Sequence, residues 1–386
     1  MRHILIILIA MFSCNTAFAF RIEVDPGTEI HAYELTRDRA LYDVLVQNLW
    51  ILNDSSKPLT LQSLSIKVLN GDRVLAERHL DAGTIKPNAE QIVQLNQAGL
   101  LDLYDIQFRA REKKADGWIL APSEHMAPAE ALLLIHQYLT VQGTPDTVLI
   151  IAEALGEDGS ISSAEMKIDV KIAPKTSEFI FPLEGDWFIA AGPDARGHHR
   201  WIVASEFALD IVKLGENGAT FRGSMDRSEN YLAYGASVRA VAAGEVISVR
   251  SDIPEDETLL RQPGETLEAY ESRSADVQIQ LLTAGESGVA GNHVVIRHDD
   301  GQYSQYAHLR PGSVRVEIGD QVAQGDEIAE LGNSGNSSEP HLHFQMTNGP
   351  DVLYSRGIPV TFKGVSNPWS DIQERALLTG DIVRAE

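Results

Sequence analysis

The chain has 386 residues, 44% of them hydrophobic and 23% charged, ordinary proportions for about two globular domains with proper cores. Its formal charge of −23 counts against a nucleic-acid partner, because phosphate binding draws on clustered Lys and Arg. The single cysteine, Cys14, excludes an intrachain disulfide.

At the N-terminus, Arg2 and His3 precede nine apolar residues, Ile4 to Phe12, and Ala17-Phe18-Ala19 puts small residues at −3 and −1. This layout predicts a secretory signal peptide over residues 1–19, cleaved after Ala19, and a mature protein in the periplasm or outside the cell. The apolar run falls short of the roughly 20 residues that span a bilayer, so no membrane span is expected after cleavage. Cleavage would also remove Cys14, leaving no thiol chemistry.

From Phe20 to about Lys175 the sequence reads as short strands, among them Tyr42–Leu52, Leu61–Leu69, Arg73–Leu80 and Gln91–Leu95. Turn signals such as Asn53-Asp54 and Lys86-Pro87-Asn88 separate them, predicting an antiparallel β-sandwich as an accessory domain over 20–175. Ala129–Val141 has helical composition, but Pro128 before it and Gly143-Thr144-Pro145-Asp146 after it favour a strand pair with Thr147–Ala154. His31, His79, His125 and His136 are scattered singly and read as structural or surface groups.

Pro174-Lys175-Thr176 reads as a linker, and a second domain is expected over 180–386. Its strand-like runs are Phe207–Leu214, Val238–Val249, Asn292–His298, Gln302–Leu309, Glu327–Leu331 and His341–Met346. An insertion at about 251–290 interrupts them, with nine acidic and two basic residues between Asp252 and Glu286. It reads as a solvated surface loop at the rim of the sheet, or a lid, with a helical stretch at Leu259–Tyr270. The tail from Val352 to Glu386 is read as a small cap in which Trp369 and Leu377-Leu378 pack. The predicted class is all-β, an N-terminal sandwich followed by a C-terminal antiparallel sheet.

Seven of the histidines fall between His198 and His343. In Gly332-Asn333-Ser334-Gly335-Asn336-Ser337-Ser338-Glu339-Pro340-His341-Leu342-His343-Phe344, strand alternation points His341 and His343 to one face and Leu342 to the other. The Gly/Asn/Ser loop before them allows close backbone approach, so Asn333, Ser334 and Ser337 are candidate substrate-binding residues. Asn292–His298, the turn Asp299-Asp300-Gly301 and Gln302–Leu309 read as a hairpin with His308 near its end. Asp210 sits in the apolar run Phe207-Ala208-Leu209-Asp210-Ile211-Val212, where a carboxylate must be paired or metal-bound.

Together these segments resemble the lysostaphin/LytM-type zinc metallopeptidases, the duplicated hybrid motif family. The likeness runs through Gly235–Val246, Gly291–His298, Tyr306-Ala307-His308-Leu309, the turns Ile318–Val322 and Gly325–Ala329, and the loop ending in His-Leu-His-Phe. It covers about residues 180–350. The resemblance implies one Zn2+ per chain with Asp210 and His343 as ligands, and His308 and His341 working on the metal-bound water and the developing oxyanion. Zinc with three N/O protein ligands keeps a place for water and lowers its pKa to about 7. Family members carry the first ligand as a histidine four residues before the aspartate, and Glu206 stands there. Either Glu206 binds the metal or His199, in Gly197-His198-His199-Arg200, reaches back; similarity to relatives with a His-Arg pair favours His199. The implied activity is hydrolysis of peptide cross-links in peptidoglycan. The alternative is a degenerate relative that binds cell wall or regulates a partner amidase.

Overall fold

A computed structural model describes residues 20–25, 27, 29–36, 39–99, 101, 118–172, 178–196, 199–367 and 376–385. The expected signal peptide, Pro174-Lys175-Thr176, His198 and Trp369 lie outside the described residues. The chain is mostly β, as its sequence predicts, and the described residues form two ten-stranded sheets and a two-stranded one. No helix among the described residues is long and apolar enough to cross a membrane.

In the N-terminal half, Leu41–Leu52 pairs with Glu130–Gln142, while Leu59–Asn70 pairs with Arg73–Asp81 and Thr147–Gly156. The strand Glu29–Thr36 links the two groups, pairing with Ile161–Ile172 through its first part and with Leu41–Leu52 through its last. Inward residues of both groups, such as Val44, Leu134, Ile66 and Ile150, share one apolar cluster, which is the packing of a sandwich.

Two expectations fail here. Ala129–Val141 and Thr147–Ala154 are both in strands, but they do not pair with each other. Gly143 N–H donates to Ala40 and Asp146 N–H to Leu69, so the connection crosses from one layer to the other. Gln91–Leu95 is not a strand but the end of helix α1, Ala82–Gln97. Asp81 caps it by accepting from Thr84 N at 2.9 Å, and Ile85, Ala89 and Ile92 are buried at helical spacing. Five residues are too short a window to separate that period from a strand's.

The C-terminal sheet is antiparallel and runs Gln321–Val322, Gly244–Arg250, Asn292–Arg297, Tyr303–Leu309, Leu342–Thr347, Leu209–Val212, Gly185–Ala191, Ile382–Ala385, Val365–Ser366. Gly357–Ile358 pairs beside Leu342–Thr347. One face packs on the pair Ser237–Arg239 and Glu327–Glu330, with Val294, Ile296, Tyr306, Leu342, Phe344 and Val238 in a common core. Alternation therefore turns His343 and Gln345 to the opposite face. The inserted segment is not a bare loop: it holds α2 (Leu267–Thr283) and α3 (Glu286–Val289), so its main helix starts later than Leu259. Leu377 joins the same core, as a cap would.

The Gly/Asn/Ser loop is clamped to the residues before Asn292. Gly291 has φ 61°, and a Cβ there would meet the Ser334 carbonyl carbon at 2.4 Å and Gly335 N at 2.6 Å. Gly301, in the hairpin turn, has φ 81° but open space around it. Gly291→Ala is expected to cost more than about 2 kcal/mol, strain plus clash, and Gly301→Ala only about 1–2 kcal/mol, strain alone. Urea unfolding of the two variants checks this; equal losses would mean the clamp is not tight.

Candidate active site and metal centre

Three adjacent strands bring the polar residues together. Asp210 is in register with His343, and His343 with Ala307, the neighbour of His308. His199 arrives from a short 3-10 turn, His199–Trp201, outside the sheet. His199, Asp210 and His343 form a group whose ligand atoms all lie within 4.8 Å of one another. His199 Nε2 is 3.3 Å from Asp210 Oδ2, and His343 Nδ1 is 3.1 Å from Asp210 Oδ1. Two imidazoles and a carboxylate are the donor set that zinc accepts.

The second row of contacts fixes ring orientation. His343 Nε2 lies 2.8 Å from Gln345 Oε1 and its Nδ1 3.1 Å from Asp210 Oδ1; with a cation between the ligands, Nε2–H would donate to Gln345 and leave the Nδ1 lone pair for the metal. Gln345 is itself held by Ser205 at 2.7 Å and by Gln305 at 2.8 Å, and Gln305 by Thr347 at 2.9 Å. Sequence reasoning missed Gln345, although it continues the His341, His343 alternation and so had a readable signal.

His308 and His341 flank this group. Their ring centroids are 4.7 Å apart, and His308 lies 5.7 Å from His343. His308 Nδ1–H donates to Ser334 O at 2.8 Å and His341 Nδ1–H to Glu339 O at 2.7 Å, so both present Nε2 inward. His341 Nε2 is 3.3 Å from Asp210 Oδ1. His308 adopts φ 60°, a left-handed backbone that a non-glycine residue keeps only when its surroundings hold it there. Its own N–H donates to Ala290 O at 3.0 Å.

The electrostatics follow from burial and proximity. Burial alone would raise the Asp210 carboxyl, but the imidazoles of His199, His341 and His343 hold it well below the usual range. Burial, helped by the neighbouring His341 and His343, pushes His308 well below an ordinary imidazole, so it stays neutral. Burial also works against a charged His341, yet Asp210 beside it raises it above the ordinary value.

Glu206 lies elsewhere. It is buried and accepts from Arg200 Nη1 at 2.5 Å, outside the group that Asp210 and His343 form with His199. Asn333 and Ser334 are fully buried in the loop framework: Asn333 Oδ1 accepts from Ser337 Oγ, and Ser334 Oγ bridges Asn292 N and Leu309 O. Ser337, with Asn336 and Ser338, lines a cavity of about 620 Å³ that also holds all five of His199, Asp210, His308, His341 and His343. Tyr270, Arg273 and Ile279 of α2 line it from the insertion, and Leu95 and His136 line it from the N-terminal half. Nothing in the sequence pointed to His136, since contact between the halves leaves no local pattern.

The sequence model of peptidase family M23 matches residues 229–353, which contain His308, His341 and His343 but begin after His199 and Asp210. The cell division protein DipM of Caulobacter vibrioides is 42% identical over 79 residues, 20% of this chain and 12% of that protein. The peptidoglycan DD-endopeptidase ShyA of Vibrio cholerae is 39% identical over 71 residues, 18% of this chain and 14% of that protein. The matched stretches thus span less than a fifth of these relatives. Among solved structures, the catalytic domain of lysostaphin from Staphylococcus simulans is 18% identical, covers 44% of this chain and 86% of that one, and has a TM-score of 0.25. The assignment rests on the sequence matches: the C-terminal half carries a peptidase family M23 domain at residues 229–353.

Proposed function

We propose that this chain is an exported zinc metalloendopeptidase that hydrolyses peptide cross-links of bacterial peptidoglycan. The observation that carries the reading is the convergence of His199, Asp210 and His343 with His308 and His341 in one cavity. In this reading residues 20–175 are an accessory domain, 180–386 the catalytic domain, and 251–290 an insertion at its rim. The peptidoglycan substrate is carried over from relatives such as the peptidoglycan DD-endopeptidase ShyA.

His199, Asp210 and His343 would hold one zinc ion, in preference to a set that includes Glu206, which is already paired with Arg200. Zinc bound there supplies Lewis acidity and a water of lowered pKa. His308, kept neutral and with Nε2 inward, is arranged to take a proton from the attacking water. His341, with its Nδ1–H held by Glu339 O and its Nε2 inward beside His308, is arranged to stabilise charge on the carbonyl oxygen, and the proton taken from water can pass on to the leaving amine. Ser337, Asn336 and Ser338 offer polar groups to a peptide in the cleft. Asn333 and Ser334 act on substrate through the shape of the loop.

Purified mature protein is expected to bind zinc with a stoichiometry near one, and a chelator to abolish muropeptide release. His343→Ala and Asp210→Ala should lose the metal. His308→Ala and His341→Ala should keep it while losing about 10²–10⁴-fold in kcat/KM. A zinc-loaded protein with no hydrolysis would instead favour the degenerate cell-wall binder or amidase regulator.

Protonation of the two rings provides a second check. In the metal-free protein His308, lowered by burial and by the neighbouring His341 and His343, should stay neutral through pH about 6.5, the ordinary imidazole value, while His341, raised by Asp210, should still carry its proton there. NMR titration of the imidazole nitrogens before zinc is added reads this directly. Both rings titrating together near pH about 6.5 would contradict it.

A further inference from the structure

The residues around His199 are gripped by the other half of the molecule. Tyr33, Asp43 and Thr140 lie opposite one another across three neighbouring strands, forming a polar row at the surface of the sandwich. Asp43 and Thr140 both accept from Arg196 Nη2, at 2.5 and 2.7 Å, and Tyr138 Oη–H donates to Arg196 O at 2.9 Å. Gln47 Nε2–H donates to Arg200 O at 3.1 Å, and the Arg200 guanidinium lies 4.9 Å over the Tyr33 ring. Arg200 is fully buried, and its Nη2 is 3.8 Å from Asp43 Oδ2. His136 stacks on Trp201 with centroids 4.9 Å apart and planes 11° from parallel. It does so from φ 52°, a strained backbone inside a strand, where a non-glycine residue needs a compensating contact.

Arg196, Arg200 and Trp201 bracket His199. A ligand on a short turn outside the sheet has no strand register to fix it, unlike Asp210 and His343. Metal affinity depends on how well such a ligand is held before the ion arrives. We propose that the N-terminal sandwich is a working part of the metal centre, with Asp43 and His136 as positioning residues that set His199 against Asp210 and His343. This rests on the reading of those three side chains as zinc ligands.

The test uses full-length mature protein, Zn2+ titrated against a chromophoric chelator, and the visible spectrum of the Co2+-substituted form. Asp43→Asn is expected to weaken zinc binding tenfold or more and to alter the cobalt bands. His136→Gly removes the stack but suits the backbone angle, so the unfolding temperature of the metal-free protein should barely move while zinc binding weakens severalfold. Leu64→Ala, fully buried in the sandwich core, serves as control: it should lower that temperature and leave zinc affinity within twofold. Should Asp43→Asn not fold, the His136→Gly result decides. Unchanged affinity and cobalt spectrum in the folded variants, or an equal loss in Leu64→Ala, overturns the proposal. A wild-type chain that takes up no zinc removes the centre itself, a different failure from a zinc-binding wild type whose variants bind equally well.

Discussion

A carboxylate inside an apolar sheet is the constraint around which this site is built. Asp210 lies between Leu209 and Ile211, both in the core of the C-terminal half, and its own side chain is almost fully enclosed. Burying a charge this way is costly unless opposite charge or good donors surround it. Three imidazoles do so here, at 3.1 to 3.3 Å. Two of the imidazoles are in turn oriented by something behind them, Gln345 for His343 and Glu339 O for His341. A divalent cation in the same place would satisfy the carboxylate and both ligand histidines at once, which makes the cluster more sensible as a metal centre than as a structural ion-pair network.

The donors come from distant parts of the chain, and the two kinds of support differ. Asp210, His308 and His343 are fixed by sheet register, a cooperative scaffold in which neighbouring strands enforce each other's position. His199 depends on tertiary contacts with the sandwich. The matched family region begins at residue 229, so two of the three candidate metal ligands, His199 and Asp210, lie in sequence that the family comparison does not reach. The architecture joins strands of the family-matched region to a candidate ligand, His199, whose neighbours Arg196, Arg200 and Trp201 are held by the N-terminal half.

Much of this was legible in the residues. His341 and His343 were readable as one face of a strand because Leu342 and Phe344 had to go to the core, and Asp210 was conspicuous as an acid among Leu, Ile and Val. The hairpin ending at His308 followed from Asp299-Asp300-Gly301. Helix α1 was not legible from the five residues that looked like a strand, since its buried set, Ile85, Ala89 and Ile92, spans a longer window. The partner of Glu206 was hidden for a different reason: Arg200 lies only six residues away, but the burial that forces the pair comes from the other half of the molecule. The same holds for His136, whose role is created by Trp201, far away in sequence. Contacts of this kind have no period and no turn signature, so single-sequence reasoning has nothing to detect.

The helix over the cleft carries a consequence of its own. None of the side chains of α2 is buried, and Arg273 ties it to the insertion through Glu265 and Leu260 O. Such a helix contributes little apolar burial, and no strand of the C-terminal sheet pairs with it. The cover that α2 gives this side of the cavity is thereby a local feature, separate from the stability of the sheet beneath it. Changes confined to 267–283 can then reshape that side of the cavity without making the protein any less durable.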